Sequence, residues 1–251
     1  MAMTTVDLDL VRAMEERGFN SWPALRTIFF DGWVVRLSDG HTRRANSASP
    51  LWPSLLPPDA LIEAIEALFL AADLRPIFRI TPLADPAVEK RLYARGWRDD
   101  DPSLGMFARD PEGAADRDVR FEPMANEAWI AGAMSAYGHG EKGAKALRRL
   151  LPLIALPATF ATLIDGEGQA LAFGLAVAER GMIGFHDIVV APEARGRGLG
   201  RRLVAALVDW GRGQGATSAY LLVREGNQPA RALYRSLGFV DVYRYANMAR
   251  A

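Results

Sequence analysis

The sequence predicts an α/β protein, an α+β chain built on a mixed sheet and divided into two parts. Three observations carry that reading. Short runs rich in aromatic and β-branched residues alternate along the chain with segments of helical period. The stretch Asp110 to Asp118 has no apolar periodicity and is rich in turn formers. It separates a smaller N-terminal α+β domain, residues 1–112, from a C-terminal domain, residues 117–251. Finally, an apolar strand, Ile183 to Val190, leads through Arg195-Gly196-Arg197-Gly198-Leu199-Gly200 into an amphipathic helix, Leu199 to Trp210. A strand, a glycine turn and a helix start form an anion site, because free N–H groups and the helix dipole point the same way.

Composition narrows the function. The chain has 251 residues, half of them hydrophobic, which is enough for a packed core. Thirty basic and thirty acidic residues cancel, so no nucleic-acid partner and no anionic membrane is expected. Without cysteine there is no thiolate nucleophile or thiolate metal site. His41, His139 and His186 lie far apart, so no metal is expected. The N-terminus lacks a signal-peptide pattern, and no apolar run reaches the ~18–20 residues that span a bilayer. A cytoplasmic protein, monomer or homodimer, is the expectation.

The elements follow in order. Val6 to Arg17 reads as a helix stopped by Gly18. Ala24 to Leu37 reads as strand, with Asp31-Gly32 a candidate hairpin break. After Ser38-Asp39-Gly40, residues His41 to Ala48 return as a strand. Four prolines, Pro50 to Pro58, mark an irregular connection, and Asp59 caps a helix with Leu61, Ile62, Ile65, Leu68 and Phe69 on its apolar face. A short strand, Pro76 to Ile80, and a helix, Ala87 to Arg95, close the N-terminal part at Gly96-Trp97. Beyond the boundary come a strand at Val119 to Phe121 and helices at Glu127 to Tyr137 and Ala144 to Ile154, separated by Gly138-His139-Gly140. Thr159 to Ile164 and Ala170 to Ala178 form a hairpin, and 182–190 is the strand before the glycine loop. A strand (Ser218 to Val223), a helix (Pro229 to Leu237) and a hairpin (Val240 to Met248) end the chain.

Residues Asp85 to Asp99 can be laid on Asn227 to Asp241. Leu92 then falls on Tyr234, Gly96 on Gly238 and Trp97 on Phe239. The N-terminal half would be a degenerate copy without the glycine loop. A generic helix–glycine–aromatic–strand unit gives the same match.

The loop is not a P-loop, since no Gly-Lys-Ser/Thr follows, and its glycine spacing is not that of a dinucleotide fingerprint. Arg195-x-x-Gly198-x-Gly200 after an apolar strand resembles instead the acyl-CoA motif of the GCN5-related N-acetyltransferase (GNAT) superfamily. A second feature agrees in order and spacing: Val223, Asn227, Ala230, Tyr234 and Gly238-Phe239 resemble that family's strand–Asn–helix–Tyr–Gly-Phe segment. Together the two cover about residues 119–251. Gly32-Trp33 and Arg43-Arg44-Ala45-Asn46-Ser47 look like segments of bacterial two-domain members.

The resemblance implies the acyl-CoA N-acyltransferase fold in the C-terminal half and acetyl-CoA as cosubstrate, with no metal. It implies direct transfer of the acetyl group to a primary amine of an unidentified acceptor, in a ternary complex. The strand before the loop would part from its neighbour, and Ile188, Val189 and Val190 would pair with the pantetheine arm. Arg195, Gly196, Arg197, Gly198, Leu199, Gly200 and Arg201 map to the pyrophosphate site, Asn227 to a cofactor contact and Tyr234 to the general acid. By spacing alone Tyr234 is a core tyrosine, on one helical face with Ala230, Leu233 and Leu237, and Asn227 an ordinary helix cap.

The general base has no such assignment. Some members carry a glutamate where this chain has Leu222. His186 and Asp187 are the candidates, because they interrupt an otherwise apolar strand; satisfied core polar residues are equally consistent. Strand alternation lets at most one of them face the substrate. His139 and Glu141 read as a solvated loop that could line the acceptor site. His41, Arg43, Arg44 and Asn46 read as an exposed charged strand, with an anionic acceptor or the cleft between domains as their other destinations. The missing glutamate also leaves open a non-catalytic acyl-CoA-binding sensor or scaffold module. O-acylation and a longer acyl group stay open as well.

Overall fold

The computed structural model describes residues 6–40 and 42–250. The N-terminal half contains α1 (Leu8–Ser21), β1 (Arg26–Phe30), β2 (Trp33–Leu37), β3 (Ala48–Pro50), α2 (Pro58–Leu70), β4 (Phe78–Ile80), α3 (Pro86–Ala94) and β5 (Arg98–Arg109). The C-terminal half contains β6 (Val119–Glu122), α4 (Glu127–Tyr137), α5 (Gly140–Leu150), β7 (Ala158–Ile164), β8 (Ala170–Glu179) and β9 (Met182–Val190). It continues with α6 (Leu199–Gly213), β10 (Ser218–Arg224), α7 (Gln228–Arg235) and β11 (Val240–Ala249).

All the described strands join one mixed sheet, in the order β1-β2-β3-β4-β11-β5-β10-β9-β8-β7-β6. Its centre is the antiparallel pair β11–β5. Outward from that pair the sheet repeats itself. On one side β11 pairs antiparallel with β4, β4 runs parallel to β3, and β3, β2 and β1 are antiparallel. On the other, β5 pairs antiparallel with β10, β10 runs parallel to β9, and β9, β8 and β7 are antiparallel. Helices α2 and α6 fill the two parallel crossovers, and α3 and α7 follow β4 and β10. The final strand of each half is therefore inserted beside the other half's penultimate one, and the sheet runs unbroken past residues 110–118. The segments that align in sequence, 85–99 and 227–241, are α3 and α7 with the strand starts behind them. Trp97 and Phe239 occupy matching places, each 1% exposed.

Alternation along the strands divides the core. Leu221, Val223 and Ile183 face α6 and α7, while Tyr220, Tyr243 and Tyr245 face α1. Helices α4 and α5 pack on β7 and β8, and Trp22 and Ala45 from the N-terminal half enter that cluster.

Several expectations need correction. Helix α1 does not stop at Gly18 but continues to Ser21. Ser21 and Trp22 are buried, and Ser21 Oγ lies 3.0 Å from Tyr220 Oη, so tertiary anchoring outweighs the roughly 1 kcal/mol that glycine costs a helix. Asp59 is not the cap of α2; Pro58 opens the helix, and Asp59 in its first turn binds Arg91 at 2.7 Å. Residues 42–47 form a 3-10 turn (Arg43–Ala45) instead of a strand. There Asn46 Oδ1 accepts from the N–H of Ser38 and Gly40, and Nδ2 donates to Thr42 O, which curls the chain. Helix α5 begins at Gly140, four residues before its apolar face made it visible, and Pro152 turns its end into a 3-10 segment. Residues 240–249 form one strand, not a hairpin. Strand β5 went unnoticed because it opens on Asp99-Asp100-Asp101-Pro102. Arg244, Arg43 and Arg224 neutralise those acids across the sheet.

Candidate active site

The site begins where two parallel strands part. β9 runs beside β10 only from Met182 opposite Ser218 to Phe185 opposite Leu221. From there β10 continues along β5 to Arg224, while β9 stays with β8 to Val190. Ile188, Val189 and Val190 thus have no strand on their β10 side. Ile188 and Val190 pack toward α6, and Val189 packs on the opposite face.

A bulge lies at the fork. His186 opposes Leu175 and Val189 opposes Phe173, so Asp187 and Ile188 together face Gly174. Asp187 takes up the distortion at φ +48°, in the left-handed region that aspartate tolerates better than most residues. Gly174 leaves room for the bulge, since a Cβ there would lie 2.7 Å from Ile188 Cδ1. At the bulge the strict alternation of side chains along the strand breaks down. Both reach the same guanidinium: Arg44 Nη1 lies 3.3 Å from His186 Nδ1, and Arg44 Nη2 lies 3.4 Å from Asp187 Oδ1.

Arg44 is a correction as well. It is not on an exposed strand but turns into the cleft, its guanidinium 4.6 Å over the Trp22 ring. Arg36 fixes the backbone beneath it by donating to Arg44 O at 2.6 Å. Arg43 pairs with Asp100 and Asp101 at the rim, and Asn46 holds its own loop. His41 lies outside the described residues.

His186 is buried and stacks on Trp22 at 5.8 Å. Burial, with Arg44 and Arg36 nearby, holds its pKa well below the ordinary histidine value, so the ring is neutral. A guanidinium can only donate, so Nδ1 accepts from Arg44 and Nε2 carries the proton, which it gives to Ser21 Oγ at 2.8 Å. Ser21 Oγ in turn meets Tyr220 Oη. Beneath Arg44 lies a cavity of about 10 Å³, bordered by Glu15, Arg36, Arg79, His186 and Leu222, roughly the space of one water.

Two tyrosines face the fork. Tyr234 is 7% exposed on α7 and packs edge-on against Phe239 at 6.0 Å. Its hydroxyl has no hydrogen-bond partner among the described residues, unlike that of an ordinary core tyrosine. Burial raises its pKa, opposed by Arg44, and so keeps it protonated at neutral pH. Asn227 caps α7, its Oδ1 accepting from Ala230 N at 3.2 Å. Tyr137 was missed in the sequence. It ends α4, stacks on His139 at 5.6 Å and keeps 38% of its surface open. Its hydroxyl is pushed well above the usual value by burial and by the Asp187 carboxylate. The only signal was its place just before Gly138, which leaves the helix at φ +73°. Glu141 pairs with Arg148, which also holds Glu127, and so braces α5 on α4.

The glycine loop carries the donors. Gly196 and Gly198 have φ of +75° and +74°, which other residues adopt only under strain. Gly200 serves packing instead, since a Cβ there would lie 2.8 Å from Leu233 Cδ1 on α7. Among the described residues, the N–H groups of 196–200 find no acceptor, and they surround the start of α6. That is the arrangement expected for an anion of several oxygens, such as a pyrophosphate. The arginines divide. Arg195 ties Val190 O to Ala136 O at 3.3 Å each, bracing the end of α4. Arg201 pairs with Glu112 at 2.7 Å, and its N–H closes on Gly198 O. Arg202 pairs with Asp116 and Asp118. Arg197 is exposed.

Comparison with known proteins places this geometry. A family model described as "Probable histone acetyltransferase Rv0428c C-terminal" matches residues 9–248. The uncharacterized N-acetyltransferase YobR of Bacillus subtilis is 27% identical over 242 residues, covering 94% of this chain and 96% of that protein. The probable histone acetyltransferase Rv0428c of Mycobacterium tuberculosis is 30% identical over 250 residues, covering 91% of this chain and 70% of that protein. A GCN5-related N-acetyltransferase from Kribbella flavida has the same fold, with a TM-score of 0.69 at 18% identity over 98% of this chain and 96% of that one. A family match that spans nearly the whole chain, on a sheet forked ahead of a glycine-rich helix start, shows that the chain belongs to the Rv0428c C-terminal family and is a GNAT-type acetyltransferase.

Proposed function

We propose that the chain transfers the acetyl group of acetyl-CoA to a primary amine by direct attack in a ternary complex. The observation that carries this is the continuity of the fork and the loop. Ile188, Val189 and Val190, which face no strand on their β10 side, lead straight to five N–H donors at residues 196–200. The first set suits the amide-bearing pantetheine arm, and the second suits the pyrophosphate. Acetyl-CoA would supply the thioester whose carbonyl the amine attacks.

The chain's own groups then have distinct tasks. Tyr234, protonated and with its hydroxyl uncommitted, gives a proton to the leaving thiolate. Both ring nitrogens of His186 are engaged, so its task is to orient Arg44 rather than to accept a proton. Asp187, on the bulge, is the remaining candidate to take the proton of the amine. The N-terminal half, read as a degenerate copy without a loop, closes one wall of a single active site. The names of the relatives favour this catalytic reading over a non-catalytic binding module.

Tyr234→Phe tests the assignment. Turnover, followed by thiol release, is expected to fall about 10²-fold, the usual contribution of a general acid, while calorimetry finds CoA affinity within a factor of about two. Unchanged turnover would remove Tyr234 from the mechanism.

A further inference from the structure

Charge in the cleft is unbalanced. Around His186 stand three guanidiniums, Arg36, Arg44 and Arg79, and two carboxylates, Glu15 and Asp187. Glu15 belongs to Arg79, which it binds through two hydrogen bonds at 3.1 and 2.6 Å, both residues buried. Arg36, 3% exposed, donates to two backbone carbonyls, Trp22 O and Arg44 O. Burial, Arg79 and Arg44 lower its pKa to about 9. His186 is neutral. Asp187 meets Arg44 at 3.4 Å. Among the described residues the centre of the cleft therefore holds one cation in excess, in surroundings where an uncompensated charge is costly. At the rim the charges match: Arg43 and Arg224 answer Asp100 and Asp101.

Of the three central guanidiniums, only Arg44 opens to the cleft, with 30% of its side chain exposed. It is held by Trp22, by His186 and by the backbone bond from Arg36. A planar fork fixed in this way is a carboxylate receptor whose ordering cost is already met by the fold. Asp187 and Tyr137 border the same opening, so an anion site and a site for an ammonium group adjoin.

We propose that the acceptor is a small amine bearing a nearby carboxylate, an amino-acid-like zwitterion, and that Arg44 is the specificity residue that binds its carboxylate. The proposal rests on the amine-acetyltransferase reading above. In the transfer, the amine nitrogen bonds the acetyl carbonyl carbon and the C–S bond breaks. The ammonium first gives one proton to Asp187 or water and becomes the attacking amine; its second proton leaves as the amide forms and, through water, restores the Tyr234 proton that the thiolate takes. The products are an N-acetylated amino acid and CoA thiol.

The test is thiol release from acetyl-CoA with matched acceptors: free L-amino acids, their carboxamides and the corresponding alkylamines. The free acids are expected to exceed the other two in kcat/KM by at least about tenfold, the worth of one charge-assisted hydrogen bond. Arg44→Gln should pull the acid-to-amide ratio toward one, mainly through KM for the acids, and Arg44→Lys should keep part of the preference. CoA affinity by calorimetry reports whether each variant remains folded. Amides or alkylamines turned over as well as the acids would overturn the proposal and leave the acetyltransferase reading standing. A preference untouched in Arg44→Gln would overturn Arg44 as its source. No release with any amine of the panel would overturn both.

Discussion

The two halves of the sheet share their strand order and helical crossovers, apart from the extra edge strand β6 of the C-terminal half, yet only one of them carries a binding loop. Between β9 and α6 the chain reads Ala191-Pro192-Glu193-Ala194-Arg195-Gly196-Arg197-Gly198, with two glycines in the left-handed region and N–H groups left over. The matching connection between β3 and α2 reads Leu51-Trp52-Pro53-Ser54-Leu55-Leu56-Pro57. Its prolines lack an N–H, and Asp31 takes the N–H groups of Leu55 and Leu56. The same topology therefore gives an anion site in one half and a closed surface turn in the other. The N-terminal half contributes in another way, by placing Ser21, Trp22 and Arg44 against the bulge of β9. Topology supplies the fork; uncommitted backbone donors turn it into a site.

The largest expected effect comes from separating the halves. Residues 117–251 made alone would lack β5, which lies between β10 and β11 and pairs with both along most of its length. Both ladders at the centre of the sheet are then lost, against a total stability of only about 5–15 kcal/mol for a domain, so circular dichroism and NMR dispersion should show no native fold. A well-folded fragment would mean that β11 can close directly on β10.

Next is the loop itself. Gly198→Val forces a β-branched residue into φ +74° beside the helix start. CoA affinity should fall by about 10²-fold or more, from about 1–3 kcal/mol of backbone strain and the lost approach of the pyrophosphate, with the melting temperature lower by about 2–12 °C. The comparable change in the other half, Ser54→Val, should leave CoA binding alone. Equal effects in the two loops would break the contrast.

The smallest effect concerns the wall that the N-terminal half provides. His186 has its pKa lowered in the folded protein, so below the ordinary value of 6.5 the unfolded chain binds a proton that the native one refuses. Stability is thus lost as pH falls through 6.5 and continues to fall until the folded pKa is reached. The slope due to this residue is about 1.4 kcal/mol per pH unit. Denaturant midpoints at pH 7 and 5 should converge in His186→Gln relative to the parent, and an unchanged difference would show that the ring already carries its proton.

Much of this was legible in advance. The strand 182–190, the helix behind the loop and the Asn227–Tyr234 segment stood out because apolar period, glycine spacing and cap chemistry are local properties. What escaped notice was tertiary. Strand β5 was hidden because three aspartates read as a turn, and only Arg43, Arg224 and Arg244, distant in sequence, make them strand residues. Tyr137 carried no motif, and the segment around Arg44 gave a family likeness without saying which of its residues enters the cleft. The pairing of His186 with Asp187 on one guanidinium needed a bulge that the alternation rule excludes, and Arg201, mapped by resemblance to the pyrophosphate site, pairs with Glu112.

By itself, then, the sequence determined most of the elements, the anion-binding helix start and the family resemblance, since each depends on residues within a turn or two of one another. The exchange of β5 and β11, the fork at His186 and the arrival of Arg44 in the cleft were decided by the tertiary structure. They depend on which strand edges find partners and which buried charges find counterions, and those choices are made between segments more than a hundred residues apart.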